Sequence, residues 1–199
     1  MIRRARLIAV LTMLLAGAIG VIGSTQTWVV VTLVEGAGEG LLVPGADAVP
    51  VLTPLSLAAL ALGAALSITG LVVRYIFGVL GLAIGGVLVA LTAQVAFATP
   101  VSAYAATVTA ATGITGTESV AALVGSTATT VWPFLTLVVN VLLLAAGVFT
   151  IVTARRWSSS ADRRYRAATA NATVDASGSR PHDAIDSWDD LSRGDDPTA

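Results

Sequence analysis

The sequence predicts an all-α membrane protein. It is a four-transmembrane-helix bundle with a small extracytoplasmic β-hairpin and a disordered cytoplasmic C-terminal tail. Three observations carry this reading. Four long stretches are apolar and uncharged, nearly all of the charge lies in the last quarter of the chain, and the arginines and acids of the remainder alternate between connections. Of 199 residues, 55% are hydrophobic and only 12% charged, about half the charged share of an average soluble domain. Residues 1–154 hold eight of the charged side chains and residues 155–199 the other 15. A soluble globule of this size could not bury so much apolar surface, which excludes an ordinary soluble enzyme.

The first span covers residues 7–23 and follows Arg3, Arg4 and Arg6. A signal peptide is the rival reading. The apolar run is long for that role and the small-residue cleavage pattern near Gly20–Ser24 is poor, so a retained helix is expected. The second and third spans are expected over residues 55–73 and 76–97, with Arg74 in the short turn between them, and the fourth over residues 132–153. Pro54 and Pro133 suit the first turn of their helices, where the missing N–H costs nothing. Gly81 and Gly85 form a GxxxG pattern with Gly78 one turn earlier, a spacing that lets two helices approach closely.

Orientation follows from basic residues, which accumulate in cytoplasmic connections. Arg3, Arg4, Arg6, Arg74, Arg155 and Arg156 fall on one side of a four-span layout, and Glu35, Glu39, Asp47 and Glu118 on the other. Both termini are therefore expected inside, in an inner or plasma membrane. The outer segment 24–53 reads as a hairpin: a Val/Thr run over Trp28–Val34, a turn over residues 35–40, and a return strand over Leu41–Val43. Trp28 and Trp132 are expected as anchors at the outer interface. Residues 118–130 suggest a surface helix leading into the last span, and Pro100 should end the third.

Chemically the body is sparse. With no Cys there is no disulfide or thiolate metal site, and the single histidine, His182, is in the tail. No catalytic, cofactor or metal constellation is legible, so neither an enzyme nor a bound cofactor is expected, and a net charge of −1 argues against a nucleic-acid partner. Within the spans the strongly polar residues are Gln94 and Asn140, which suit interhelical hydrogen bonds. The tail, residues 155–199, divides into a basic stretch at Arg155–Arg166 and an acidic end at Asp183–Asp196. In that end Ile185, Trp188 and Leu191 recur every third residue. This gives one apolar edge to a short helix that would fold only against a partner, expected to be a cytoplasmic protein.

Several of these residues carry a family resemblance. Ser24 and Trp28 follow the first span, Arg156-Trp157 closes the last, Arg164-Tyr165 comes shortly after, and the chain ends Ser187-Trp188-Asp-Asp-Leu191-Ser-Arg-Gly194-Asp-Asp196-Pro-Thr198. In these features and in its four-span layout the chain resembles the actinobacterial tryptophan-biosynthesis-associated membrane proteins, known from genes within tryptophan operons. The resemblance implies an accessory or scaffold protein of the bilayer linked to tryptophan synthesis, without an established reaction. A small oligomeric transporter or exporter of tryptophan or a related aromatic compound is the alternative. It predicts that Gln94 and Asn140 share a cavity.

Overall fold

The computed structural model describes residues 2–34 and 40–156. The turn over residues 35–39 and the tail from residue 157 onward, with Ile185, Trp188 and Leu191, lie outside the described residues. The order of elements is α1 (Ile2–Thr25), β1 (Thr27–Leu33), β2 (Leu41–Pro44), α2 (Gly45–Ala48), α3 (Leu52–Leu66), α4 (Leu71–Ala98), α5 (Ala105–Thr112), α6 (Thr117–Leu123), β3 (Val124–Thr129) and α7 (Trp132–Thr153). Short 3-10 turns follow α4 at Val101–Ala103 and α7 at Ala154–Arg156.

Three of the helices, α1, α4 and α7, are long and apolar enough to cross a membrane. The fourth apolar helix, α3, has 15 residues, about 22 Å at 1.5 Å per residue. Its sequence explains the early end. Ser67 donates its hydroxyl to Ala64 O at 2.6 Å, and Gly70 then enters α4 in an extended conformation. The expected boundaries of the second and third spans therefore change. The helix break falls at residues 67–70 rather than at residue 74, and Arg74 belongs to the first turn of α4. Charge could not locate this break, because residues 55–73 carry none; its marks in the sequence are Ser67, Thr69 and Gly70 alone.

The helices pack as a ring in the order α3, α1, α7, α4. Glycines set the registers. Gly17 faces Leu60, Gly20 faces Ser56 and Gly63 faces Met13, so α1 and α3 run antiparallel; Gly23 faces Thr136 on α7. On the other side Gly85 meets Leu144, Gly78 meets Ile151 and Gly147 meets Leu82, which brings α4 and α7 to backbone contact. Met13, Leu66, Leu88 and Leu143 fill the space between.

A small domain caps one end of the bundle. The expected hairpin of β1 and β2 forms, with Val30 opposite Leu42. A third strand completes the sheet in the order β2-β1-β3, antiparallel throughout. That strand corrects two expectations. The fold is mostly helical rather than all-α, and the surface helix expected over residues 118–130 stops at Leu123. Val124–Thr129 pairs with β1 because two strands alone are marginal and a third takes up the hydrogen bonds of the free edge of β1. Trp28 is also corrected. Its indole is fully buried in the cap rather than anchored at a membrane surface. Its Nε1 donates to Gly23 O at 2.8 Å, and a Cβ on Gly45 would lie 2.6 Å from that nitrogen.

Candidate functional site

Polar side chains gather at three levels of the bundle. At the end away from the cap, Arg74 is 2% exposed. Its guanidinium donates from Nη1 to Ala154 O at 3.2 Å and from Nη2 to Thr69 O at 3.1 Å. One side chain thus ties the start of α4 to the end of α7 and to the turn that follows α3. A cation in the first turn of a helix opposes the helix dipole, and the two carbonyls offset that cost with charge-assisted hydrogen bonds. Arg6 of α1 lies close enough to interact electrostatically with Arg74, and Arg155 is exposed just beyond α7. Asp47 in α2 and Glu118 in α6 lie in the cap. Among the described residues, the basic and acidic side chains therefore occupy opposite ends.

In the middle, Asn140 is 1% exposed and donates from Nδ2 to the Thr92 hydroxyl at 3.2 Å, joining α7 to α4. Ser56 on α3 and Thr136 on α7 are also buried, and neither hydroxyl has a hydrogen-bond partner among the described residues. Each instead sits over a glycine of α1, Ser56 over Gly20 and Thr136 over Gly23. Gln94 lies on the exposed face of α4. The structure thus seals Asn140 in the interior and does not bring Gln94 to it, so the pair on which an aromatic-export pathway was expected to rest is split between two environments.

The glycine pattern also divides. Gly85 faces α7, where a Cβ would meet Leu144 Cα and N at 2.8 Å; Gly81 faces α1, where the Met13 methyl would lie at 3.0 Å. The α4–α7 seam is made by Gly78 and Gly85 together with Gly147. Sequence reasoning missed Gly147, since it stands alone in its helix without a GxxxG partner.

At the cap end, Thr99 closes α4 in the left-handed conformation (φ 41°), which is unusual for a β-branched residue. Its hydroxyl donates to Val95 O at 3.2 Å and lies 3.0 Å from that of Thr129 in β3. Pro100, next in sequence, forbids the helix from continuing. Phe97 and Phe134 stack edge to face at 5.7 Å beside this joint. Thr130 fastens the same end of β3 to the start of β1, with its N–H donating to Trp28 O and its hydroxyl to Thr27 O. Among the described residues no three His, Cys, Asp or Glu side chains come together. The geometry is that of a strapped, capped bundle, in which Arg74 and the Asn140–Thr92 pair bind one helix to the next.

No curated protein and no solved structure matches the chain significantly. A family model described as tryptophan-associated transmembrane protein matches residues 10–198. That match spans all the described helices and strands except the first turns of α1, and the chain therefore belongs to the tryptophan-associated transmembrane protein family.

Proposed function

We propose that the protein is a non-enzymatic accessory protein that crosses the cytoplasmic membrane four times, keeps both termini in the cytoplasm, and holds a partner of tryptophan synthesis at the membrane through its tail. The observation that carries this reading is the common level of the helix ends. Along the packing registers, Arg6 falls level with the turn at residues 67–70, and Arg74 bonds directly to Ala154. Every helix thus has one end on an arginine-bearing plane and the other beneath the cap, with Asp47 and Glu118 above it. The stretch from Arg6 to Gly23 is about 26 Å long at 1.5 Å per residue, close to the hydrocarbon thickness of a bilayer. α3 with its turn spans the same depth, which supports a fourth crossing despite its length. The excess of arginine at one end supports a cytoplasmic location for that end.

The partner-binding segment is Ile185, Trp188 and Leu191, set in the acidic stretch Asp183–Asp196. Arg74 and the Asn140–Thr92 pair are engaged between elements of the bundle, which supports a role in holding rather than in chemistry. Co-purification from mild detergent, wild type against Trp188→Ala, tests the proposal. A tryptophan-pathway enzyme is expected with the wild type and lost with the variant, and an unchanged set of co-purified proteins would refute tail docking.

A further inference from the structure

Gln94 is the strongly polar residue of the spans that the bundle itself does not use. It lies on the exposed side of α4, and its carboxamide makes no hydrogen bond to any of the described residues. Its depth follows from its neighbours. Thr92 bonds Asn140, which lies one helical turn inside Thr136, and Thr136 faces Gly23 near the cap end of α1. Gln94 is about 3 Å nearer the cap than Thr92 at 1.5 Å per residue, so it still lies inside that level. A helical side chain leans toward the N-terminus of its helix, here away from the cap, and the exposed Phe97 stands one turn nearer the cap. The carboxamide is thus held on the hydrocarbon side, where an unpaired polar group is costly.

The face that carries Gln94 suits a second helix. Exposed positions of α4 run from Leu80 through Ala83, Val87, Ala90 and Gln94 to Phe97, at alternate spacings of three and four residues. That is the 3.5-residue repeat of a left-handed helix pair. Ala83 and Ala90 are small enough for close approach, and none of the six residues is charged, so nothing on the face repels a copy of itself. The carboxamide names the occupant. It is both donor and acceptor, and it pairs reciprocally with a like group at the same depth. Copies of one chain share one orientation in the bilayer, and a two-fold axis along the membrane normal sets each residue of such a face opposite its own copy. A second copy therefore brings Gln94 to Gln94.

We propose that two copies of this chain pair side by side through the exposed face of α4, with their Gln94 carboxamides hydrogen-bonded across the seam. The inference needs α4 to cross the membrane and is independent of the tail and of the crossing of α3. The chain has no cysteine of its own, so single cysteines report the contact directly. In native membranes under mild oxidation, Val87→Cys and Ala90→Cys should each give a disulfide-linked product of twice the chain mass. Leu142→Cys, on α7 and as exposed as Val87, should not. In liposomes, energy transfer between full chains labelled at Ser126→Cys should show dimers. Gln94→Leu should raise the dissociation constant about threefold to tenfold, the worth of a hydrogen bond between membrane helices. Gln94→Asn keeps a carboxamide and should bind more tightly than Gln94→Leu. Ala90→Phe, bulky at an exposed position of the seam, should abolish the transfer. Monomers at every protein-to-lipid ratio would overturn the proposal, as would cross-linking through Leu142→Cys in place of the α4 cysteines. Unchanged association of Gln94→Leu would also overturn it, because the carboxamide is what selects a second copy. So would an Ala90→Cys product of some other mass with no doubled chain, which would give the face to a different protein.

Discussion

Replacing Gly147 with alanine should force α4 and α7 apart. The added Cβ would lie 2.6 Å from Leu82 N, 3.0 Å from Leu82 Cα and 3.1 Å from Gly78 O. All three are backbone atoms, so no side chain can rotate away. Ordinary contact begins near 3.4 Å, and the helices must therefore separate by about 0.8 Å at this point, which loosens the neighbouring contacts at Gly78 and Gly85. Overpacking of this kind costs about 1–3 kcal/mol, while alanine regains up to about 1 kcal/mol of helix propensity over glycine. Gly86→Ala provides the control, because a Cβ there meets no atom within 4 Å and only the propensity gain applies. At about 2–4 °C per kcal/mol for a chain of this size, Gly147→Ala should melt about 5 °C below Gly86→Ala in the same detergent, followed by near-ultraviolet circular dichroism. If the two alanines melt together, or Gly147→Ala melts higher, close backbone packing does not hold α4 to α7 and the reasoning fails.

Trp28→Phe keeps most of the buried ring but removes the donor to Gly23 O, and should cost about 1 kcal/mol; Trp28→Ala should cost about 3–5 kcal/mol. Urea melts of the cap, read by protection of the β1 amides from hydrogen exchange, would register both, and equal loss in the two variants would contradict the packing described. Asn140→Leu should lower stability by only about 0.6 kcal/mol, the average for hydrogen bonds between membrane helices, since its amide has one observed partner in Thr92; a loss several times larger would point to a wider polar network. For topology, Ser126→Cys in the exposed β3 and Ser67→Cys in the exposed turn after α3 should react with an impermeant maleimide on opposite sides of the membrane. Labelling of both in intact cells would refute the fourth crossing.

Much of the fold is legible in the sequence, and the reasons differ by element. The apolar spans announce themselves by length, and β1 and β2 by the Val/Thr run and the return strand around a Gly-rich turn, because these signals are local. The helix break at residues 67–70 is half hidden, since Ser67, Thr69 and Gly70 mark it but the uncharged apolar runs on both sides read as one continuous span. The third strand is hidden for another reason: Val124–Thr129 gains its form only by pairing with β1, nearly a hundred residues earlier. Arg74 reads in sequence as a marker of topology, whereas its buried guanidinium is a strap between α4, α7 and the turn after α3. Gln94 and Asn140 look alike in sequence and differ in place, one exposed and one sealed, because the face a residue presents depends on how its helix is rotated against its neighbours.

The sequence by itself determined that this is a membrane-spanning chain whose charges are kept to the ends and connections of its apolar stretches, because the cost of placing charge in hydrocarbon acts on each segment alone. Which glycines touch backbone and which hydroxyls are sealed in were decided only by tertiary structure. Those properties belong to pairs of helices, and a pair acquires them only when its rotation and register are fixed.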